Sequence, residues 1–598
     1  MTKNNKKILS FILFLILIFV GLPLYFVLDF KSSTVKSVEV EKESWVSEAK
    51  PDFNKIGAVK AKEFLISTSD KKASEVGSKI LAKGGNAIDA IIAAQMVLNV
   101  VEPQSSGIGG GAFLIYFDAK TKKTYYFNGR ENAPMTATAE MFLDQNKKPR
   151  KFQDVVRGGL SVGTPSLLKM LKLVHEKYGK LAWEELFVDA IQIAKDGFMM
   201  DNKIYDLAME APYLSEFDEF SKIYLKADKK PKDIGTIIKN PEMAKTLTLI
   251  SKEGIKPFYE GKIANDIVNV VNNSKINPGS LSLDDLKNYQ VRESDLLCRD
   301  YRKYKVCSIP LPSSGGITLL ETLGILENFE LKNYLPSSAI SVHLIAEATK
   351  LAYADRNQYI GDVKEVPISQ MLDKEYLKQR SELIKMDSVL KNVEAGSFKG
   401  YELYGNNKNM VENPSTTHLS AIDKGGNAIS MTSSIEYAFG SVLMVDGFLL
   451  NNQLTDFSLN PQVNGKKVAN AVKPGKQPRS SMAPSFVFDE NGKLILVVGS
   501  PGGSNIIQYV LKTIIAYLDW NLSIDKAIAL PNFVVNGDVI ELEKGTILQK
   551  TLLDLTKLGH KVATKKILSG INAINLDIKN NILIGGADLR RNGVAVGQ

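Results

Sequence analysis

A continuous apolar segment near the amino terminus places the strongest constraint on how this chain folds. It runs from Ile8 to Leu28, is interrupted only by Ser10, Gly21 and Pro23, and follows three lysines. About 20 apolar residues suffice to cross a bilayer, and a signal peptide usually has a shorter apolar core. Because positive charge stays on the cytoplasmic side, the sequence predicts that the rest of the chain is exported.

We predict that residues 1–30 form an uncleaved signal anchor and that the polar residues 31–55 form a stalk. No small residues suited to a signal peptidase close the run, since residues 26–30 read Phe-Val-Leu-Asp-Phe. A cleaved signal peptide is the alternative. The first hypothesis anchors the protein in the cytoplasmic membrane, facing the periplasm or the exterior, and the second releases a soluble periplasmic or secreted protein.

The composition restricts the chemistry that the exported part can perform. The 598 residues are 44% hydrophobic and 24% charged, which is typical of a globular protein. Only four histidines and two cysteines occur, so a zinc site, an iron–sulfur cluster or a haem attachment is disfavoured. We expect no metal and no organic cofactor. The net charge of +9 comes from dispersed lysines without a nucleic-acid-binding motif, so no nucleic-acid partner is expected.

The two cysteines flank a short polar turn between β-prone stretches. Export makes a cross-strand disulfide between Cys298 and Cys307 one interpretation, and an idle pair of buried thiols is the other.

Hydrophobic periodicity changes along the chain from a helical to a strand pattern. Helices are predicted over residues 70–81, 87–100, 166–178, 182–195, 317–326, 341–353 and 505–518. Strands are predicted over residues 112–117, 124–127, 417–422, 428–433, 448–450, 485–488 and 494–498. Residues 394–415 lack periodicity and predict a mobile loop. The order of these segments favours a layered α+β fold.

Two glycine motifs suggest functions that their context does not favour. Residues 107–111 resemble a phosphate-binding loop, but they open a β-run rather than the helix that such a loop requires. Residues 159–163 match the G-x-S-x-G pattern of a serine hydrolase, which makes Ser161 an alternative nucleophile. No second oxyanion-loop motif accompanies it.

Polar motifs are densest between residues 413 and 504. This segment contains hydroxyl pairs, a carboxylate and glycine-rich turns, in the runs NPSTTHLS (413–420), NNQLTDF (451–457), PRSSMAP (478–484) and GSPGGS (499–504). Hydroxyl and carboxylate groups can bind a zwitterion without a metal, and glycine N–H groups can stabilise an oxyanion.

At these motifs the chain closely resembles the γ-glutamyltranspeptidases, a family of N-terminal-nucleophile hydrolases. Further matching blocks are GGNAIDAI (84–91), SGIGGG (106–111), RENAP (130–134), AYADR (352–356) and ADLRR (587–591). The resemblance covers about residues 56 to 598 in the order of the family. It implies an α+β fold with four αββα layers, preceded here by one transmembrane helix.

The resemblance also implies a precursor that cuts itself before Thr416. The Thr416 hydroxyl would attack the carbonyl of Ser415, and water would release the resulting ester. Residues 56–415 would become the large subunit and residues 416–598 the small subunit, which stay associated as one catalytic unit. The new α-amine would act as the base for its own hydroxyl, since its reference pKa is about 7.7–8.0.

Roles for the remaining site residues follow from the same resemblance, position by position. Ser434 would orient the Thr416 hydroxyl, and the backbone N–H groups of Gly502 and Gly503 would form the oxyanion hole. The clamp on the substrate α-carboxylate would consist of Arg130, Ser480 and Ser481. The groups around the substrate α-ammonium would be Glu436, Gln453 and Asp456.

Four features depart from the family pattern. Ser434 stands where many members have threonine, and Glu436 stands where others carry asparagine. Arg479 replaces an apolar residue and is expected beside the α-carboxylate clamp. Residues 458–473, which correspond to the lid loop of the family, are a few residues short.

The resemblance implies an enzyme that transfers the γ-glutamyl group of glutathione to water, amino acids or dipeptides. Alternatives within the fold are a poly-γ-glutamate depolymerase and an enzyme resembling a β-lactam acylase. A membrane-anchored binding protein without activity is the alternative from another class.

Overall fold

Two seven-stranded antiparallel sheets form the centre of the protein, which a computed structural model describes over residues 57–406 and 415–598. The first sheet contains, in spatial order, the strands Val594–Gly597, Leu65–Thr68, Thr417–Ile422, Ala428–Ser434, Gly111–Asp118, Lys123–Gly129 and Arg292–Ser294. The second sheet contains Val59–Ala61, Ile582–Ala587, Asn572–Asp577, Leu494–Gly499, Ser485–Phe488, Tyr304–Ser308 and Leu297–Tyr301. Each sheet combines strands from before and after Thr416.

Alternating side chains of the first sheet face two different cores. Phe113 and Ile115 belong to the core shared with the second sheet, whereas Leu114 and Tyr116 belong to the core under the helices. Such alternation is the normal consequence of the two-residue period of a strand. The helices Ala87–Val101 and Leu167–Tyr178 pack on the first sheet, and Gly315–Leu326 and Ile506–Leu518 pack on the second. The protein therefore has four layers in the order αββα, as predicted.

The other helices and strands extend these layers. Helices before residue 300 are Lys71–Ala82, Ala87–Val101, Phe152–Val155, Leu167–Tyr178, Val188–Asp196, Asn202–Met209, Asp218–Tyr224, Pro241–Glu253, Lys256–Tyr259, Lys262–Asn272 and Leu283–Asn288. Later helices are Gly315–Leu326, Ala339–Tyr359, Ile368–Met371, Lys374–Glu382, Ile506–Leu518, Ile524–Ala529 and Leu552–Lys557. A three-stranded sheet contains Phe533–Asn536, Val539–Glu543 and Lys561–Lys565. Two-stranded ribbons join Phe198–Met199 with Ile237–Ile238, Met444–Val445 with Phe448–Leu449, and Gln462–Val463 with Lys466–Lys467.

Local capping explains why the first helices begin where the sequence predicts. The Asp70 carboxylate accepts hydrogen bonds from the first-turn amides of Lys71–Ala82, which satisfies donors that a helix otherwise leaves unpaired. Asn86 and Asp89 form a capping box at the start of Ala87–Val101, and every residue of that helix is buried.

Several predicted segments agree with the structure and others differ from it. The strands at 417–422 and 485–488 are confirmed at both ends. The helix predicted over residues 182–195 is instead a 3-10 turn at Trp183–Phe187 followed by Val188–Asp196. Residues 394–406 contain no helix or strand, and residues 407–414 of the predicted loop lie outside the described part.

Cys298 and Cys307 form a disulfide between two neighbouring strands. They are directly opposite each other in the pairing of Leu297–Tyr301 with Tyr304–Ser308, and their Cα atoms lie 4.1 Å apart. The structure therefore favours the cross-strand disulfide over the idle thiol pair.

The predicted anchor and the stalk lie outside the described residues. Within residues 57–406 and 415–598, no helix has both the length and the apolar character needed to cross a membrane.

Candidate active site

The strand register brings the hydroxyls of Thr416 and Ser434 together. Thr417 pairs with Ser433 at the end of the ladder between Thr417–Ile422 and Ala428–Ser434, which places Thr416 and Ser434 near each other just beyond it. Thr416 Oγ1 lies 3.0 Å from Ser434 Oγ, and the backbone N–H of Glu436 donates to Ser434 Oγ at 2.8 Å. Both hydroxyls are buried, so the sheet itself holds the predicted nucleophile and its orienting group in contact.

The glycine run at 107–111 supports this pair through close backbone packing. A Cβ atom at Gly110 would lie 2.1 Å from the carbonyl oxygen of Ser434, and one at Gly109 would lie 2.1 Å from that of Leu449. Real Cβ atoms cannot approach so closely, so only glycine fits here. The motif is therefore a packing element that opens the strand Gly111–Asp118, in agreement with the rejection of a phosphate loop.

A small pocket opens beside the Thr416 hydroxyl. Its walls include nine of the predicted site residues: Arg130, Thr416, Ser434, Glu436, Gln453, Asp456, Ser480, Ser481 and Gly503. Met482 and Ile506 complete the wall and were not predicted, because apolar residues carry no signal of function in a sequence. The structure thus gathers residues that are more than 300 positions apart.

Arg130 and Asp456 form an ion pair on the wall of this pocket. Arg130 Nη2 donates to Asp456 Oδ2, and Gln453 Nε2 donates to the same oxygen at 2.7 Å. The Arg130 side chain is 2% exposed and that of Asp456 is 17% exposed. Arg130 Nε also donates to the carbonyl of Pro478 at 3.2 Å, which fixes the plane of the guanidinium.

A buried arginine outside the predicted set, Arg356, holds the two serines of the clamp. Arg356 Nη2 donates to Ser481 Oγ at 2.8 Å, and Arg356 Nε donates to Ser314 Oγ at 2.8 Å. Ser314 Oγ in turn donates to the carbonyl of Ser480 at 2.7 Å. Arg356 ends the AYADR block, so that motif was the available signal.

Gly502 and Gly503 lie at the turn before the helix Ile506–Leu518. Their φ angles are +132° and +59°, in the region that favours glycine, and a Cβ at Gly502 would lie 2.6 Å from the ring of Tyr509. Gly503 lines the pocket, whereas Gly502 does not. Within the described part of the chain, neither backbone N–H donates a hydrogen bond, so both are available to an oxyanion.

The backbone at Thr416 has an unusual conformation. Its φ is +80°, which is a genuine outlier for a β-branched residue and costs roughly 1–3 kcal/mol. The preceding residue is fixed by a hydrogen bond from Ser415 Oγ to the carbonyl of Gln104 at 2.7 Å. The strained torsion of Thr416 therefore lies directly beside the peptide bond between Ser415 and Thr416.

Glu131 is a buried acid directly behind Arg130. Its two carboxylate oxygens have no hydrogen-bond partner among the described residues, and burial raises the pKa of Glu131 to about 8. A Cβ at Gly111 would lie 2.6 Å from Glu131 Oε2, so the acid is packed tightly under the first sheet. The raised pKa favours the neutral form of this acid near neutral pH.

Arg479 contacts the clamp residue Arg130 through its backbone. Its carbonyl accepts a hydrogen bond from Arg130 Nη2 at 3.3 Å, so the backbone does lie beside the clamp. Its guanidinium instead donates to the carbonyls of Arg356 and Ile360 at 3.1 and 3.3 Å, at the end of the helix Ala339–Tyr359. Carbonyls at a helix C-terminus attract cations, which explains the direction of the side chain.

Two other candidate nucleophilic or basic groups are used in packing. Ser161 lies in a 3-10 turn, fully buried, and its hydroxyl contacts the carbonyls of Val156 and Gly158 at 3.2 Å. It does not line the pocket, so the G-x-S-x-G match is a local turn. Burial lowers the pKa of His418 to about 3, and its Nδ1 lies 2.9 Å from Thr432 Oγ1. His418 is therefore a neutral core residue.

A histidine cluster away from the pocket is a closed hydrogen-bond network. The ligating atoms of His343, Glu347 and His560 lie within 4.8 Å of one another, as in a metal site. His343 Nε2 donates to the carbonyl of Lys385 at 2.6 Å, and His343 Nδ1 therefore accepts from His560 Nε2 at 2.7 Å. Lys350 Nζ donates to Glu347 at 2.7 Å and supplies the cation there.

The fold and this pocket together define the class of the protein. A hydroxyl residue with a strained backbone torsion immediately precedes a central strand of a four-layer αββα sandwich and faces a pocket of paired charges. These features define an N-terminal-nucleophile hydrolase.

Comparisons with known proteins identify the family. The family described as Gamma-glutamyltranspeptidase matches residues 73–598. The glutathione hydrolase proenzyme of Bacillus subtilis (strain 168) is 37% identical over 547 residues, covering 90% of this chain and 92% of that protein. The crystal structure of cephalosporin acylase from Bacillus halodurans has a TM-score of 0.81 at 25% identity, covering 93% and 99% of the two chains. Helicobacter pylori γ-glutamyltranspeptidase has a TM-score of 0.53 at 32% identity, covering 56% and 96%.

The chain belongs to the γ-glutamyltranspeptidase family and is an enzyme of that type. The prediction from the sequence motifs is therefore confirmed at the level of family and activity.

Proposed function

We propose that the protein cuts itself before Thr416 and that the new amino terminus transfers the γ-glutamyl group of glutathione. The observation that carries this proposal is the arrangement of charges around the Thr416 hydroxyl. One guanidinium, Arg130, and two carboxylates, Asp456 and Glu436, line the same small pocket. A γ-glutamyl group carries one negative and one positive charge on its α-carbon, which matches this arrangement. The name of the Bacillus subtilis relative supports glutathione as the donor.

Binding would replace the ion pair of the pocket with two pairs to the substrate. The α-carboxylate would accept hydrogen bonds from the Arg130 guanidinium and from the hydroxyls of Ser480 and Ser481. A planar guanidinium suits such a carboxylate because it can donate two parallel hydrogen bonds. The α-ammonium would contact Asp456 and Glu436, and the substrate γ-carbonyl would then face Thr416.

Acylation begins when Thr416 Oγ1 attacks the γ-carbonyl carbon. The free α-amine of Thr416 accepts the hydroxyl proton, and Ser434 Oγ keeps the attacking oxygen in place at 3.0 Å. The oxyanion accepts hydrogen bonds from the N–H groups of Gly502 and Gly503. Loss of one such donor typically lowers kcat about 10²–10³-fold. The proton then passes to the leaving amine, and a γ-glutamyl ester of Thr416 remains.

Deacylation reverses the roles of the same groups. Water, an amino acid or a dipeptide attacks the ester carbonyl, and the α-amine of Thr416 accepts its proton. The amine then passes this proton to Thr416 Oγ1, which leaves as the free hydroxyl. Hydrolysis and transfer therefore differ only in the acceptor. None of these steps requires a metal or an organic cofactor.

The same pocket disfavours substrates without an α-ammonium. A glutaryl group would still offer a carboxylate to Arg130, but it would leave the half-buried carboxylates of Asp456 and Glu436 without an ammonium partner. Burying an unpaired carboxylate costs several kcal/mol. A panel of glutathione, poly-γ-glutamate and a glutaryl amide separates these substrates, and absence of glutathione turnover would refute the donor that we propose.

We also infer an exported, membrane-anchored location. The apolar run at 8–28 with its preceding lysines supports an anchor facing the periplasm or the exterior, and a cleaved signal peptide is the alternative. The disulfide between Cys298 and Cys307 supports an oxidising compartment. Membrane fractionation before and after carbonate extraction, with the mass of the mature amino terminus, distinguishes the two.

The test of self-cleavage is the intact mass of the wild type beside Thr416→Ala. Residues 416–598 are 183 of the 598 residues in a 65.9 kDa chain, which corresponds to about 20 kDa. This fragment should appear in the wild type and be absent from Thr416→Ala, while Thr416→Ser, which keeps a hydroxyl, should still cleave. A wild type that stays uncut after prolonged incubation would refute the proposal.

A further inference from the structure

The guanidinium of Arg591 contacts the peptide bond that we expect to be cut. Arg591 Nη1 donates to the carbonyl oxygen of Ser415 at 3.3 Å and to that of Thr416 at 3.4 Å. Neither Arg591 nor Ser415 lines the substrate pocket. The transfer mechanism described above does not use this arginine.

The protein holds this side chain in place at a buried position. Ser415 is 1% exposed, Thr416 is 6% exposed and Arg591 is 8% exposed. Arg591 Nε donates to the carbonyl of Leu568 at 3.2 Å, and Lys203 Nζ contacts the carbonyl of Arg591 at 3.4 Å. The guanidinium is therefore fixed through Nε, and its Nη1 points at the carbonyl of Ser415.

One donor of this guanidinium is unused. Arg591 Nη2 is buried and has no hydrogen-bond partner among the described residues. An unsatisfied buried donor costs free energy, and a charged one costs more. An acceptor that appears only during a reaction would satisfy it, and the oxygen of Ser415 becomes such an acceptor when its carbonyl turns tetrahedral.

We propose that Arg591 is a catalytic residue of self-cleavage, which stabilises the oxyanion that forms on Ser415. This inference rests on the proposed cleavage before Thr416. Thr416 Oγ1 attacks the carbonyl carbon of Ser415, and the C=O electron pair moves onto the oxygen beside Arg591. When the intermediate collapses, the bond to the Thr416 nitrogen breaks and the hydroxyl proton ends on that nitrogen. Water then hydrolyses the ester, so one chain and one water give two chains.

Maturation and turnover would thus use different oxyanion sites. During self-cleavage the oxygen of Ser415 contacts the guanidinium of Arg591, and this carbonyl then leaves with the upstream chain. During turnover the substrate carbonyl contacts the N–H groups of Gly502 and Gly503. A charged donor suits the first reaction because it occurs once, inside a buried and strained segment. Loss of Arg591 should therefore slow cleavage far more than it slows turnover.

The test follows cleavage of freshly synthesised full-length chains in cell-free translation. Pulse-labelled wild type, Arg591→Met and Arg591→Lys are chased, and the appearance of the fragment that starts at Thr416 is timed. We expect Arg591→Met to cleave about 10²–10³-fold more slowly, the usual effect of losing an oxyanion donor, with Arg591→Lys between the two. The loss of cleavage rate should exceed the loss of kcat in the cleaved fraction at least about tenfold.

Arg479→Met is the matched control. Arg479 is also a buried arginine whose guanidinium holds two backbone carbonyls, but these belong to Arg356 and Ile360 and not to the scissile bond. Arg479→Met should cleave within a few-fold of the wild-type rate. Equal slowing of both variants would mean that any buried arginine matters through folding, and it would overturn the inference.

The remaining outcomes are also decisive. If Arg591→Met loses its thermal transition, Arg591→Lys decides, since it keeps the charge: slowing by tenfold or more supports the inference and a wild-type rate overturns it. If the wild type and Arg591→Met cleave equally fast, the role of Arg591 is refuted and the proposed self-cleavage is not. A wild type that never cleaves refutes the proposed function itself.

Discussion

Arg130 and Asp456, 326 positions apart in the sequence, form a salt bridge on the wall of the substrate pocket. Each is expected to contact one charge of the substrate α-carbon. We predict that Arg130→Lys raises KM about 10–100-fold with a smaller change in kcat, because a point charge cannot reproduce the planar fork. Steady-state kinetics with a γ-glutamyl anilide measures both constants.

Asp456→Asn is the complementary change. It keeps the shape of the side chain and removes the charge, so KM should rise by a comparable factor. An unchanged KM in both variants would show that Arg130 and Asp456 form a structural ion pair and do not bind the substrate.

Ser434→Ala should lower kcat about tenfold, equivalent to roughly 1.4 kcal/mol, because Thr416 Oγ1 loses its hydrogen-bond partner. The neighbouring Ser433 provides the control, since its hydroxyl donates to the carbonyl of Gly111 at 3.2 Å and not to Thr416. Ser433→Ala should leave kcat within about twofold of the wild type. Equal losses in the two variants would contradict the orienting role of Ser434.

Glu131 predicts a pH dependence of stability. Its pKa is raised to about 8 by burial, so the folded protein holds a proton that the unfolded chain releases above about pH 4.5. The stability that this proton contributes is complete below pH 4.5 and is lost as pH rises through 8. Relative to the wild type, Glu131→Gln should gain roughly 5 kcal/mol at pH 8.5 and nothing at pH 4.

Chemical denaturation at several pH values measures this difference. Glu140→Gln, at an exposed position nine residues further along the chain, is the control. The free energy of unfolding of this variant should follow that of the wild type at every pH. Parallel stability curves for wild type and Glu131→Gln across this range would contradict the assignment of a protonated acid.

Reduction of the disulfide between Cys298 and Cys307 should lower the free energy of unfolding by about 2–3 kcal/mol, as expected for a loop of this length. The bridge joins the edge strand of the second sheet to its neighbour and does not line the pocket. Assays with and without a phosphine reductant should therefore give the same kcat/KM below the melting transition.

Local sequence signals predicted those parts of the structure that local interactions determine. The helices near residues 70–81 and 87–100 and the strand at 417–422 are such cases, because helical periodicity and two-residue alternation can be recognised over a few positions. The order of strands in the sheets was not predictable in this way. Leu65–Thr68 pairs with Val594–Gly597 across more than 500 positions, and strands this short carry little pattern.

The site shows the same division. Thr416, Ser434 and the glycine turn were identified because they lie in motifs that resemble a family, and the structure brings them to one pocket. The position of Arg479 beside the clamp was predicted, but the contacts of its side chain were not, since the direction of a long side chain depends on a helix end far away in the sequence. Arg591 ends the ADLRR block, but its contact with Ser415 spans 176 positions and could not be predicted from that motif.

The sharing of both sheets by segments before and after Thr416 has a consequence for recovery from denaturation. An uncut chain refolds in a unimolecular process, whereas a cut one must reassemble its sheets from two polypeptides. Reassembly of the cut protein should therefore slow on dilution, and each fragment alone should aggregate through its unpaired strand edges. Self-cleavage would thus make the enzyme dependent on never unfolding, so that its working lifetime is set by a rate of unfolding and not by an equilibrium.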